Sequence, residues 1–276
     1  MSDNAFGAAL SIDIDTTIAH EARVYDYWLG GKDNYPADRA LGDAIGQHVP
    51  AIKTMARANR AFLGRAVRHL VGEAGITQFL DIGTGIPTAG NTHEVAQQLD
   101  PHARVVYVDK DPIVLAHARA LMSSTPQGRT RFIHADLHDP RSILDHPDLA
   151  STLDLGEPVA IMLVAIMMYF PDSDRPRDIV AELLDAVPSG SYIAITHPTA
   201  DFAPEAVAGV TAAAHAAGIS FHPRSHAETS ELFAGTTLID PGLVPVAAWR
   251  PELTDRPVAV AEAESAWYWA GIGRKP

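Results

Sequence analysis

The 276-residue sequence contains no cysteine. This absence excludes disulfides, thiolate metal sites and cysteine nucleophiles, and it fits a reducing compartment. Thirteen histidines are present, but no His-x-x-x-His or His-Glu-x-x-His pair falls on a helical pattern. The sequence therefore predicts no metal site.

Long apolar segments and positive charge are also scarce. The longest apolar run, residues 158–171, is shorter than the roughly 18 residues that indicate a membrane span. The first residues, Met-Ser-Asp-Asn-Ala-Phe, lack the basic and apolar regions of a signal peptide. A formal net charge of -13 would repel phosphate backbones and anionic membranes. We therefore expect a cytoplasmic protein that binds neither nucleic acid nor membrane.

From about residue 76 onward, short apolar strands alternate with helical segments, the pattern of an α/β fold with helices on both faces of a parallel sheet. The predicted strands are residues 78–81, 104–109, 131–136, 159–164, 192–196, 243–249 and 266–272. Together they predict a Rossmann-like, doubly wound, mostly parallel sheet of seven strands. We assign residues 49–276 to this domain and residues 1–48 to an N-terminal helical cap.

The most informative segment is residues 79–91, Phe-Leu-Asp-Ile-Gly-Thr-Gly-Ile-Pro-Thr-Ala-Gly-Asn, in which a buried strand enters a glycine-rich loop. Gly83 and Gly85 can adopt positive φ and let a ligand approach the backbone, although this pair alone also fits a tight turn. Asp81 ends the strand, where its carboxylate would oppose the pyrophosphate of a dinucleotide. The same carboxylate favours a cationic ligand, and S-adenosylmethionine carries both an α-ammonium and a sulfonium.

Acidic residues also end the next two predicted strands. Asp109 lies 24 residues after Gly85, close to the spacing of about 20 at which an acid binds a nucleotide ribose. Asp111 is the expected N-cap of the following helix, which leaves Asp109 free for the ribose. Asp136 ends the third strand, where it is expected to accept a hydrogen bond from the adenine amino group; capping of a loop is the alternative.

These residues resemble the class I S-adenosylmethionine-dependent methyltransferases, whose first motif is acidic-x-Gly-x-Gly and whose second strand ends in a ribose-binding acid. Asp81, Gly83, Gly85 and Asp109 match this pattern, and Pro87 departs from it. Ala-Arg-Val-Tyr-Asp-Tyr-Trp-Leu-Gly-Gly-Lys-Asp-Asn-Tyr, at residues 22–35, is similar to a bacterial methyltransferase family long catalogued as a domain of unknown function. The resemblance implies the class I methyltransferase fold and its cofactor, and it implies no substrate.

The N-terminal segment contains a second group of candidates. Residues 19–29 predict an amphipathic helix ended by a Gly-Gly pair, and the polar segment that follows suits a lid over a substrate. Arg23, Lys32 and Tyr35 are its candidate contacts with cofactor or substrate. Simple packing of the helix onto the core is the alternative.

A second long helix is predicted over residues 51–71, with Asn59 inside its apolar stripe. At about 1.5 Å per residue, Asn59 and Arg60 reach the height of the glycine-rich loop. Both are therefore candidate cofactor-binding residues, and either Arg60 or Arg57 is expected to bind the methionine carboxylate. A solvent-facing arginine is the alternative.

Methyl transfer requires a base only when the acceptor is protonated. His197, which follows the fifth strand, is the candidate catalytic base, and Tyr169 and Asp172 follow the fourth strand. We expect a small-molecule acceptor. The aromatic residues at 267–269 are expected to cover the sheet or to form a homo-oligomer contact.

Three other functions stay open. A nicotinamide-dependent oxidoreductase would use similar glycines, but Asp81 opposes its cofactor and Thr88 replaces the last glycine of Gly-x-Gly-x-x-Gly. A sensor or regulator that binds S-adenosylmethionine without turnover is the second alternative. A regulatory protein that binds a macromolecular partner is the third.

Overall fold

The computed structural model describes residues 15–254 and 266–276, which contain an eight-stranded mixed sheet. Its strands are β1 (Gln78–Ile82), β2 (Arg104–Asp109), β3 (Arg129–His134), β4 (Ala160–Val164), β5 (Tyr192–Pro198), β6 (Thr237–Leu238), β7 (Val244–Pro245) and β8 (Tyr268–Arg274). They lie in the order β3-β2-β1-β4-β5-β8-β6, and β7 pairs with β8. Strands β1 to β5 are parallel, and β8 is antiparallel to its neighbours.

Ten α-helices are found in the described part of the chain. They are α1 (Glu21–Leu29), α2 (Pro36–His48), α3 (Ile52–Gly72), α4 (Thr92–Leu99), α5 (Pro112–Leu121), α6 (Pro140–Leu144), α7 (Pro147–Ala150), α8 (Pro176–Asp185), α9 (Pro204–Ala216) and α10 (His226–Glu231). None of these is both long and apolar enough to cross a membrane.

The central strands are apolar on both faces because helices cover both faces. Every residue of β1 and β5 is buried. Successive side chains of a strand point to opposite faces, so Phe79 packs in one apolar cluster with Leu63 of α3, while Leu80 packs in the other with Leu183 of α8. This alternation explains why these strands were predictable as continuous apolar runs.

The chain passes from β1 outward to β2 and β3 and then returns to β4 on the opposite side of β1. Such a reversal opens a crevice at the carboxyl ends of the strands, where open α/β sheets bind their ligands.

N-terminal caps determine where the neighbouring helices begin. Asn91 and Glu94 form the predicted capping box of α4, and Asp111 Oδ1 accepts from Ile113 N at 2.8 Å at the start of α5.

The last third of the chain differs from the prediction. The strand predicted over residues 243–249 stops at Pro245, and Val246–Ala248 forms a short 3₁₀ helix instead. The cause is tertiary: the buried Arg65 donates to the carbonyls of Val246 and Trp249 at 2.6 and 2.7 Å. The sheet gains the two-residue β6, which gives eight strands where the sequence predicted seven.

The described part of the N-terminal cap consists of α1 and α2, and residues 1–14 lie outside it. Val24 and Leu41 join the apolar cluster that contains α3. Gly30, with φ 85°, ends α1 as predicted. The polar segment after it is tied to α1, because Asp26 Oδ2 accepts from Asp33 N at 3.0 Å and from Asn34 Nδ2 at 2.8 Å.

Candidate functional site

A cavity lies at the carboxyl ends of β1 to β4 and is covered by α1 and α3. It has about 1000 Å³ of open space, including the solvent at its mouth. The structure brings the seven sequence-predicted cofactor residues together on its wall: Asn59, Arg60, Asp81, Gly83, Gly85, Asp109 and Asp136.

The glycine-rich loop forms one wall of the cavity. Gly83 has φ 74° and donates its N–H to the Val108 carbonyl at 2.8 Å. A Cβ at Gly83 would lie 2.6 Å from Ile166, whereas a Cβ at Gly85, with φ 65°, would meet nothing within 4 Å. The first glycine is therefore required for packing, and the second leaves space for a ligand.

Asp109 is held rigidly at the end of β2. Its Oδ2 accepts from Gly85 N at 2.9 Å, and its Oδ1 accepts from Asp111 N at 2.9 Å. Burial raises the pKa of Asp109, and these two N–H groups oppose the rise. Because each carboxylate oxygen has two lone pairs, Asp109 can accept further hydrogen bonds from a ligand.

Asp136 lies at the outer end of the cavity with an aromatic neighbour. Its Oδ1 accepts from the backbone N–H of His138 at 3.0 Å. The same oxygen lies 2.6 Å from Nδ1 of the His138 ring. The His138 ring stacks on Phe170 at 4.3 Å, and its Nε2 lies 3.1 Å from Asp174. Burial raises the pKa of Asp136, but these hydrogen bonds from His138 bring it below its ordinary value. Only Oδ2 of Asp136 is left for a ligand.

Asp81 is a buried carboxylate at the end of β1. Its Oδ2 accepts from Thr92 Oγ1 at 2.5 Å, and it is only 6% exposed. Burial raises its pKa from 3.8 to about 6, although the Thr92 hydroxyl and the charge of Arg60 lower it. A cation placed beside Asp81 would favour the ionised form and reverse the rise.

Asn59 and Arg60 extend from α3 to the loop, at the height that the sequence predicted. Asn59 Nδ2 donates to the Tyr25 hydroxyl at 2.9 Å, while its buried Oδ1 has no hydrogen-bond partner among the described residues. Arg60 Nη2 donates to Asn91 Oδ1 at 2.8 Å, and its buried Nε has no described partner. Buried polar atoms are almost always paired, so these two atoms fit a ligand that supplies the missing donor and acceptor.

His197 is not part of the cavity wall. It is fully buried on β5, where its Nδ1 lies 2.9 Å from the Pro198 carbonyl and its Nε2 lies 3.1 Å from Arg224 Nη1. Because the guanidinium can only donate, Nε2 must be the acceptor and has no lone pair left for a proton. Burial lowers the pKa of His197 to about 4. This geometry argues against a role as general base.

The three candidate residues of the N-terminal cap, Arg23, Lys32 and Tyr35, do not line the cavity either. Arg23 is buried against Asp38, with Nε 3.2 Å from Oδ1, and its Nη2 donates to the Ile18 carbonyl at 2.6 Å. The polar segment proposed as a lid therefore does not reach the site in this structure.

Sequence reasoning missed several lining residues. Glu21 and Tyr25 of α1 and His138 after β3 all line the cavity. The first two were missed because α1 is buried on more than one side, so a single amphipathic face does not describe it. His138 had one available signal, its position two residues after Asp136.

The described residues include no group of three or more histidine, aspartate or glutamate side chains arranged to hold a metal ion. The acids at the carboxyl ends of β1, β2 and β3 are tied to backbone N–H groups, a hydroxyl and the His138 ring instead.

A parallel sheet with this strand order, a glycine-rich loop after β1 and an acid at the end of β2 defines a Rossmann-like protein of the class I methyltransferase fold. The sequence profile of the S-adenosyl methyltransferase family matches residues 7–276. The chain belongs to this family, and its cofactor is S-adenosylmethionine.

Solved structures agree with this assignment. A DUF574 family protein from Streptomyces avermitilis is 48% identical with a TM-score of 0.92, over 95% of this chain and 99% of that one. A candidate methyltransferase from Thermobifida fusca is 43% identical with a TM-score of 0.85, over 95% and 96% of the two chains. The fold is shared with a plantazolicin methyltransferase, at 14% identity, a TM-score of 0.52, and 92% and 95% coverage. No curated protein matches the chain.

Proposed function

We propose that the protein transfers the methyl group of S-adenosylmethionine to a small-molecule acceptor, with the methyl donor bound along the carboxyl rim of the sheet. The observation that carries this proposal is the order of the rim acids. Asp81, Asp109 and Asp136 lie at the carboxyl ends of three adjacent strands, β1, β2 and β3, and line one cavity. An elongated ligand with an amino-acid end, a ribose and an adenine fits this order.

The amino-acid end is assigned to the wall formed by β1 and α3. An α-ammonium has three donors, which suit the Asp81 carboxylate and the unpartnered Asn59 Oδ1. An α-carboxylate suits Arg60, whose buried Nε also lacks a described partner. A zwitterion would thus supply the hydrogen bonds that both side chains lack.

The ribose and adenine are assigned to the ends of β2 and β3. Asp109 has its two oxygens oriented by backbone N–H groups and is poised to accept from both ribose hydroxyls. Gly85, which faces open space, lets the sugar approach the backbone. Asp136 Oδ2 is assigned to the adenine amino group, and Leu137 lines the cavity next to it.

S-adenosylmethionine supplies an activated methyl group: the acceptor's lone pair bonds to the methyl carbon, the carbon–sulfur electron pair stays on sulfur, and the acceptor's proton goes to water. The protein's contribution is positioning, which can lower a barrier by roughly 7 to 11 kcal/mol.

Three residues of α1 and its N-cap, His20, Glu21 and Tyr25, cover the cavity. This cover favours a small acceptor over a macromolecular one.

Calorimetric titration of the full chain with S-adenosylmethionine, S-adenosylhomocysteine and NADH tests the donor site. We expect both sulfur compounds to bind and NADH not to bind. Tight binding of NADH with no heat from either sulfur compound would overturn the proposal. Release of S-adenosylhomocysteine in the presence of candidate small acceptors then separates an enzyme from a sensor without turnover.

A further inference from the structure

A second cavity adjoins the first and has a different chemistry. It lies between the cap helices α1 and α2, α9 and the sheet, with about 670 Å³ of open space when the solvent at its mouth is included. Its walls are mainly aliphatic and aromatic side chains, including Val24, Leu41, Ile45, Val210, Ala214 and Phe221. Among the described residues that line it, only Glu21 carries a formal charge.

The two cavities share a wall, which we call the neck. Glu21, Tyr25 and Tyr169 line both cavities and so form the neck. Glu21 is fixed there by Lys110, with 2.9 Å between Oε1 and Nζ. Tyr25 is fixed by donating to the Ala56 carbonyl at 3.0 Å and by accepting from Asn59. A ligand that fills the second cavity would therefore reach the donor cavity at a defined point.

Two further phenols, those of Tyr169 and Tyr268, line the second cavity. Tyr268 is 4% exposed, and Tyr169 lies at the neck. Burial raises both pKa values, so both phenols are neutral and able to donate or accept. Tyr25, Tyr169 and Tyr268 all line this one cavity. A phenol on a cavity wall can donate a hydrogen bond to a ligand's polar group and accept one from it.

Resting on the proposed function, we infer that the second cavity binds the methyl acceptor, and that this acceptor is a largely apolar, uncharged small molecule with its single polar group at the neck. The polar group is the nucleophile, and the hydroxyls of Tyr169 and Tyr268 hold it. The apolar remainder fills the space between α1, α2 and α9. A charge within these walls would be left unpaired at a high free-energy cost, so charged acceptors are excluded from the inner part.

β-Naphthol, an uncharged aromatic alcohol, is a suitable probe, and a hydroxynaphthalenesulfonate of the same ring system is its charged counterpart. Binding is measured by calorimetry on the full chain in the presence of S-adenosylhomocysteine. We expect β-naphthol to bind and the sulfonate to bind at least about tenfold more weakly, because its charge would be desolvated without a partner. A protein that binds S-adenosylhomocysteine but not β-naphthol would overturn the inference.

A matched pair of substitutions on α9 locates the binding. Ala214 is buried and lines the second cavity, whereas Ala212 is exposed on the same helix. Ala214→Phe should weaken β-naphthol binding by about tenfold or more, because the ring occupies its space, and Ala212→Phe should not. Neither should change S-adenosylhomocysteine affinity, which separates a failure of this inference from a failure of the donor site. Equal β-naphthol affinity in both variants would overturn the inference.

Tyr268→Phe provides a test that preserves the shape of the cavity. The variant should bind β-naphthol several-fold more weakly than the wild type and bind naphthalene equally well, because only the hydrogen bond is lost. This comparison decides the matter if Ala214→Phe does not fold. An unchanged β-naphthol affinity would show that the Tyr268 hydroxyl does not contact the polar group, and the inference would be wrong.

Discussion

Replacing Asp81 by Asn should stabilise the protein at neutral pH and weaken its binding of the methyl donor. Asp81 is buried, and its pKa is raised from 3.8 to about 6. A carboxyl group whose folded-state pKa is raised stabilises the fold in its protonated form, and this contribution is lost as the pH rises through the folded-state value. Asn resembles the protonated form, because it is neutral and still offers an oxygen to the Thr92 hydroxyl.

The size of the effect follows from the two pKa values. At about 1.4 kcal/mol for each pH unit, a rise from 3.8 to about 6 destabilises the folded protein by about 3 kcal/mol at pH 8 and by about 0.6 kcal/mol at pH 4. The free energy of unfolding of Asp81→Asn should therefore exceed that of the wild type by an amount that grows between these two pH values. Urea denaturation at both pH values measures it.

An exposed acid on the surface supplies the control. Asp185 ends α8 and is exposed, so Asp185→Asn removes the same charge without relieving burial. Its stability relative to the wild type should change little between the two pH values. If Asp81→Asn shows no larger gain at pH 8 than at pH 4, the buried-charge argument is refuted.

The same variant tests the role of the carboxylate in binding. Loss of a charged hydrogen bond to an ammonium should weaken donor binding by about 1.5 to 3 kcal/mol, or roughly tenfold to a hundredfold. S-adenosylhomocysteine keeps the α-ammonium and lacks the sulfonium. Equal losses for the two ligands would assign Asp81 to the ammonium, and a loss confined to S-adenosylmethionine would assign it to the sulfonium. Unchanged affinity for both would remove Asp81 from the site.

Three further predictions concern the same rim. Asp109→Ala should cost about 1.5 to 3 kcal/mol of S-adenosylmethionine affinity, measured by calorimetry, and an unchanged dissociation constant would remove the ribose assignment. Gly83→Ala should lower the free energy of unfolding by more than Gly75→Ala, because both have positive φ but only at Gly83 does a Cβ meet a side chain at 2.6 Å. Binding of the methyl donor near pH 6 should release protons, because the ligand's cation lowers the raised pKa of Asp81. Calorimetry in two buffers of different ionisation enthalpy measures the number of protons released. Binding without proton release would contradict the prediction.

Much of the fold was predictable because its signals are local. β4 is apolar on every residue, and helices α4, α5 and α10 follow the recognisable caps Asn91, Asp111 and Ser225. The rim acids were predictable for a related reason. Carboxyl ends of adjacent parallel strands meet at one edge of a sheet, so Asp81 and Asp109 had to lie near one another once their strands were identified.

Other features depend on contacts that are distant in the sequence. Residues 243–249 have the composition of a strand, but Arg65 of α3 binds two of their carbonyls and Trp249 is fully buried beside Phe62. In the sequence His197 directly follows a predicted strand, but in the structure β5 extends through Pro198 and includes it. Its position differs because β8 pairs antiparallel along β5 and Arg224 occupies its free nitrogen. No local pattern encodes either arrangement.

The second cavity was also beyond the reach of the sequence, because it forms only where the cap meets α9. Three unfavourable buried groups line the first cavity: a carboxylate with a raised pKa at Asp81, an unpaired oxygen at Asn59 and an unpaired Nε at Arg60. Tyr25 joins the two cavities by bonding to Asn59 on one side and lining the apolar space on the other. Unfavourable polar groups scattered through a core would be defects of packing. Gathered around the first cavity, they are explained together if the methyl donor completes them.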